Sequence, residues 1–113
     1  MKRVVITGLG AITPIGIGKE AFWNSLIEGK SGVGPITRFD TADFDCKIAA
    51  EVKDYDANDY LDKKEAKRMD RFTQFAVVAT KLAIEDGKIN LDDINLERVG
   101  TIIGCGIGGL ETL

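Results

Sequence analysis

No histidine occurs in this chain of 113 residues. The commonest general base at neutral pH is therefore missing, and any mechanism that needs an imidazole is excluded for this chain alone. Cysteine is nearly as scarce: Cys46 and Cys105 are the only two, and no Cys-x-x-Cys exists. That is too few for a disulfide framework or a zinc site. No apolar run is long enough to span a bilayer. Met1-Lys2-Arg3 leads into only a short apolar stretch with no cleavage-like end, so no signal peptide is expected. The expected compartment is the cytoplasm, with no membrane partner. Basic residues are not in excess, 15 against 18 acidic, for a net charge of −3. That argues against a nucleic-acid partner, whose electrostatic footprint is usually basic.

What is present is a globular composition, 44% hydrophobic and 29% charged, of a length that fits one domain or part of one. Val4-Val5-Ile6 reads as a buried strand that runs into a Gly-rich loop at Gly8 and Gly10. Pro14, Gly16 and Gly18 keep the loop irregular. Lys19 to Glu28 reads as a helix with Phe22, Trp23 and Leu26 as apolar positions, stopped by Gly29. Residues 30–40 read as loop, and Ile48 to Val52 as a short strand. Val99 to Ile103 reads as a second buried strand. The pattern is α/β. Two central strands cannot make a covered sheet. The expectation is a fragment, with its sheet completed by sequence outside these residues.

The clearest helix runs from an Asp62 N-cap, with Glu65 in the capping-box position, to a stop at Gly87. Met69, Phe72, Ala76, Ala79 and Ala83 form its apolar stripe. The stripe is mostly alanine, which implies that something packs very close to it. Phe75, Val78 and Leu82 make the later faces apolar too, so the helix should start at the surface and enter the core.

Charge is unevenly spread. Residues 40–62 hold eight acids against Lys47 and Lys53. Lys64, Lys67, Arg68 and Arg71 then follow at i, i+3, i+4 and i+7, which would place four cations on one helix face. A solvated face is the plain reading. Against it, cations in the first turns oppose the helix macrodipole, at roughly 0.3–1 kcal/mol each when exposed. An acidic partner would account for that departure, chiefly by steering encounter.

Two glycine-rich segments follow the two strands. Thr7-Gly8-Leu9-Gly10-Ala11-Ile12-Thr13 resembles half of a dinucleotide fingerprint, but Thr13 stands where a third glycine belongs and Pro14 delays the helix. Tight turns and close backbone packing explain these glycines better. In Gly104-Cys105-Gly106-Ile107-Gly108-Gly109, no base or cation lies near Cys105 in sequence to form a thiolate. A small buried thiol is expected there. Ile107 is a lone bulky residue in a permissive backbone and could serve as a gate.

The ordered set of segments resembles the β-ketoacyl-acyl-carrier-protein synthases of fatty-acid synthesis, especially the elongating synthase II type. The segments are Arg3-Val4-Val5-Ile6-Thr7-Gly8-Leu9-Gly10, Pro14-Ile15-Gly16, Gly29-Lys30-Ser31-Gly32-Val33, Arg38-Phe39-Asp40, Lys67-Arg68-Met69-Asp70-Arg71-Phe72 and the glycine turn at 104–109. The resemblance implies a thiolase-like fold, layered α/β/α/β/α, in a homodimer. It implies acyl transfer from acyl-carrier protein to a cysteine, then decarboxylation of malonyl-carrier protein and condensation with the help of two histidines. The family's nucleophile lies in a Thr-Ala-Cys-type segment well past the glycine turn, and the histidines lie later still. No catalytic residue carries over, and Cys105 is not at the nucleophile position. Residues 1–113 are expected to be the first part of the N-terminal half, truncated before the catalytic segment and inactive alone. No cofactor or metal is expected.

Two roles do carry over from the resemblance. Lys64, Lys67 and Arg68 match basic positions that contact the acidic carrier protein, and Ile107 matches the isoleucine that gates the acyl pocket. Two alternatives remain: a chain-length-factor-like partner subunit of a polyketide system, and a non-catalytic module that binds carrier protein through the basic face.

Overall fold

A computed structural model describes residues 1–110. The chain divides into two compact units, Ala11–Tyr55 and the pairing of Met1–Gly10 with the chain from Asp56 on.

The Ala11–Tyr55 unit begins with two very short strands, β1 (Ile12–Thr13) and β2 (Gly16–Ile17). They pair antiparallel, with Ile12 opposite Ile17 and Thr13 opposite Gly16. The loop expected here is thus a tight hairpin, turning through Pro14 and Ile15. Thr13 makes the turn specific: its hydroxyl donates to the Gly16 carbonyl at 2.8 Å and accepts from the Ile15 amide at 3.3 Å. Helix α1 (Lys19–Ile27) follows within a residue of its expected span. It ends in a Schellman motif. The Gly29 amide donates to the Leu26 carbonyl at 3.1 Å, and the Lys30 amide reaches back to Ser25 at 2.9 Å. Gly29 sits at φ +67, a left-handed conformation that costs a residue with a Cβ.

Strands β3 (Val33–Pro35) and β4 (Ile48–Ala50) form a second antiparallel pair, with Val33 opposite Ala50 and Pro35 opposite Ile48. β4 was expected. β3 was not, because Gly34 and Pro35 read as loop residues, yet proline is tolerated at the end of a two-stranded pair. A side-chain clamp closes this hairpin. The Thr37 amide donates to Glu51 Oε1 at 3.0 Å and its hydroxyl to Oε2 at 2.7 Å.

In the other unit, the expected single helix from residue 63 is two. α2 (Lys63–Ala66) is one turn long, and α3 (Arg71–Asp86) carries most of the packing. Leu61, Ala66 and Val78 form the buried apolar core, and Val78 has no exposed surface at all. The alanine stripe on α3 does receive a close neighbour, the N-terminal segment. A Cβ on Gly10 would overlap the Ala79 carbonyl and lie 2.8 Å from the Ala83 amide nitrogen. One on Gly8 would lie 2.7 Å from the Gly87 nitrogen. Only glycine lets the two backbones touch there.

The Gly87 stop is correctly placed, but its conformation is helical, φ −72. The left-handed residue is the next one, Lys88, at φ +50. It completes a Schellman motif, with the Lys88 amide on Glu85 at 3.0 Å and the Ile89 amide on Ile84 at 3.1 Å. Gly87 is small because Thr7, Ala83 and Ile89 crowd it, each with an atom 3.2 or 3.3 Å from where a Cβ would stand.

The two buried strands expected at 4–6 and 99–103 are absent. Val4 is 94% and Ile102 99% exposed, and neither segment is in a strand. A strand needs a hydrogen-bonded neighbour, and a parallel sheet needs cover on both faces. No described residue supplies either. The apolar runs keep the composition of buried strands without the partners that would make them so.

Candidate functional site

The basic segment owes its shape to the break between α2 and α3. Asp62 caps α2, its carboxylate accepting from the Lys64 amide at 2.8 Å. The helix then stops after one turn. The Gln74 side-chain amide takes up the carbonyls left over, donating to Ala66 at 2.9 Å and to Met69 at 3.1 Å. Asp70 turns extended, with ψ 157, and α3 starts again at Arg71.

The break changes the expected cation face. Lys64 lies in α2, Lys67 is its C-cap and Arg68 lies in the turn, so the four cations do not share one helix face. The macrodipole argument falls with it. A one-turn helix has little dipole, and a cation at its C-cap is favourably placed. What remains is exposure. The side chains of Lys64, Lys67 and Arg68 face solvent and form no ion pair among the described residues. Arg71 differs, because it is half-buried with its guanidinium carbon 4.9 Å from the Phe75 ring centre, in cation–π range.

The glycine turn at 104–109 sits against this same segment. A Cβ on Gly108 would be 3.9 Å from Phe72 Cζ, and one on Gly109 would be 3.0 Å from Phe72 Cε1. Ile107 is 77% exposed. Cys105 is exposed as well, which corrects the buried thiol expected there. The reason is the missing cover over the preceding 99–103 segment. Sequence reasoning placed Lys67, Arg68 and Ile107 in separate motifs. It named Asp70 and Phe72 within the helix start but not the contact through which they bring those motifs together. The available signal was an acid set among cations at the start of an apolar stripe.

The dinucleotide reading of Gly8 to Gly10 is closed by geometry. The backbone that would approach a phosphate is packed on α3, and the Leu9 amide already donates to Asp86 Oδ2 at 3.0 Å. No helix among the described residues is long and apolar enough to cross a membrane.

Comparison with known proteins bears on the family and the fold. Residues 1–113 match the family model described as "Beta-ketoacyl synthase, N-terminal domain". The chain is 56% identical over 112 residues to the 3-oxoacyl-[acyl-carrier-protein] synthase 2 of Synechocystis, covering 99% of this chain and 27% of that protein. It is 47% identical over 111 residues to the synthase 2 of Staphylococcus aureus strain N315, with 98% and 27% covered. The chain thus spans about a quarter of the length of these relatives. Among solved structures, the ishigamide ketosynthase/chain length factor matches with a TM-score of 0.73 and 39% identity, over 80% of this chain and 22% of that one. The fold class is the thiolase-like one expected from the sequence.

Proposed function

The chain belongs to the β-ketoacyl synthase family, as its N-terminal domain, and from that premise we propose that it serves a 3-oxoacyl-acyl-carrier-protein synthase by docking the carrier and bounding the acyl pocket. In the reaction proposed for the whole enzyme, a cysteine thiolate displaces the carrier thiol from an acyl thioester. Malonyl-carrier protein then loses carbon dioxide, and its enolate carbon attacks the acyl-cysteine thioester. The products are 3-oxoacyl-carrier protein and the free thiolate. Nucleophilic catalysis and stabilisation of the enolate and oxyanion charge by two histidines suit these steps. This chain has no histidine, and Cys105 is a free, exposed cysteine in the glycine turn with no charged residue between Val99 and Leu110. Residues 1–113 alone are therefore inactive in this reading. The enzyme works as a cytoplasmic homodimer without a cofactor.

One observation carries the proposal: three exposed cations, without ion pairs among the described residues, sit on the segment that also seats the glycine turn of Ile107. Lys64, Lys67 and Arg68 attract the acidic carrier, and Ile107 limits the acyl chain. Charges of this kind act on encounter and are screened by salt.

The test uses a full-length synthase in which this chain replaces the matching segment of the Synechocystis relative. It should condense acyl- and malonyl-carrier protein, whereas the 113-residue chain alone should form no product. Lys67→Glu with Arg68→Glu should weaken carrier binding about tenfold at low salt, and less as salt rises. Unchanged affinity at low salt removes the docking role. Replacing Ile107 with Ala or Phe should change acyl-chain selectivity, and an identical profile removes the gate.

The ketosynthase/chain length factor likeness supports a second reading, a non-condensing partner subunit with the same fold. A cysteine at the nucleophile position in the sequence that follows in the parent gene decides for the condensing enzyme. A third reading, a carrier-binding module without chemistry, requires that the isolated chain fold cooperatively and bind carrier protein.

A further inference from the structure

Asp70 occupies the N-cap position of α3, yet its side chain makes no cap hydrogen bond. Aspartate is among the residues most often used for capping, so this one is engaged elsewhere. Its carboxylate rests on the glycine turn. A Cβ on Gly109 would overlap Asp70 Oδ2 and stand 2.9 Å from Asp70 Cγ and 3.0 Å from Phe72 Cε1. Gly108 adds a left-handed φ of +83, which fixes the direction in which the chain leaves Ile107. One side of the turn is thus a bare glycine backbone seated on a carboxylate and a ring edge. On the other side, a Cβ on Gly104 or on Gly106 would meet no atom within 4 Å.

We propose that Asp70 and Phe72 are positioning residues for Ile107. They anchor the 108–109 end of the turn, so that Ile107 swings from a fixed hinge and presents its side chain to the acyl chain at a defined depth. This rests on the reading of Ile107 as the pocket residue. It adds that acyl selectivity is set partly from outside the pocket, by two residues on the helix start that follows the carrier-facing cations.

The experiment is a selectivity measurement in the full-length synthase carrying this chain. Asp70→Ser keeps a good N-cap residue but is too short to reach Gly109. It should shift the ratio of kcat/KM for short against long acyl-carrier substrates about tenfold, in the direction given by Ile107→Ala, a size typical of a small change in an apolar pocket. Asp70→Asn, which keeps the length, should stay close to the parent. Combining Asp70→Ser with Ile107→Ala should add nothing further, because both act on one side chain. The dissociation constant for carrier protein should not change. A merely structural Asp70 would lower activity for all chain lengths alike and leave the ratio fixed. If Ile107→Ala shifts the ratio and Asp70→Ser does not, or if the two effects add in full, the positioning role is wrong and the pocket reading stands. If Ile107→Ala leaves the ratio unchanged, the pocket reading falls and this inference with it. Phe72→Leu carries the same expectation and replaces the serine variant should that one fail to fold.

Discussion

The amide of Leu9 donates to the Asp86 carboxylate at 3.0 Å, joining the N-terminal segment to the last turn of α3. A carboxylate acceptor makes the bond charge-assisted, which raises its worth above that of a neutral pair. Asp86→Ala should weaken the hold on the segment by about 1 kcal/mol, below the usual range for bonds to charged groups because this one is exposed. Hydrogen exchange at the Leu9 amide, measured in the full-length synthase carrying this chain, should quicken roughly fivefold.

Gly10 tests the other half of that docking. Its backbone lies so close to α3 that a methyl group has nowhere to go, and the obstacles are backbone atoms of Ala79 and Ala83. Gly10→Ala should cost about 2 kcal/mol, within the range for overpacking. The same change at Gly100, where no atom lies within 4 Å of the Cβ position, should cost little. Thermal unfolding of the two variants side by side checks the contrast.

Two helix ends of the same design should respond with opposite sign. Gly29 and Lys88 both hold the left-handed position of a Schellman motif. Gly29→Ala should destabilise by about 1 kcal/mol, and Lys88→Gly should stabilise by a similar amount. Lys88→Ala should fall near the parent, since the left-handed penalty is the same for any Cβ. Melting temperatures of the three variants decide it.

The Thr37 clamp on Glu51 gives the β3–β4 hairpin an acid-sensitive bond. The hydroxyl and then the amide of Thr37 hold the Glu51 carboxyl below its ordinary value of 4.5. A folded-state value below the unfolded one contributes stability that is present above 4.5 and lost as pH falls through the lowered folded value. Thr37→Ala should therefore lower hairpin stability at neutral pH, and the gap to the parent should close below 4.5. Hydrogen exchange of the Ile36 amide, bonded to the Lys47 carbonyl at 3.0 Å, measures it across pH. A gap independent of pH would reject the Glu51 assignment.

Local chemistry was legible in the sequence where it acts locally. α1 and its Gly29 stop, the Asp62 cap, the strand at Ile48 and the close approach to the Ala79 and Ala83 stripe all depend on residues near one another or on a face that repeats with the helix. So did the family, because its segments keep their order along the chain. The absence of an imidazole is a fact of composition, and no fold can reverse it.

Tertiary structure decided the rest. Whether Val4 to Ile6 and Val99 to Ile103 become strands depends on neighbours, and composition cannot provide a hydrogen-bonding partner. The break at Asp70 depends on Gln74 reaching back to Ala66 and Met69, a contact that periodicity does not encode. That break took the four cations off one helix face and removed the dipole argument for their role. It also turned Asp70 toward Gly109, so that the basic segment and the turn of Ile107, some forty positions apart in sequence, became one place. The sequence named the residues of both motifs, and only packing determined that they touch.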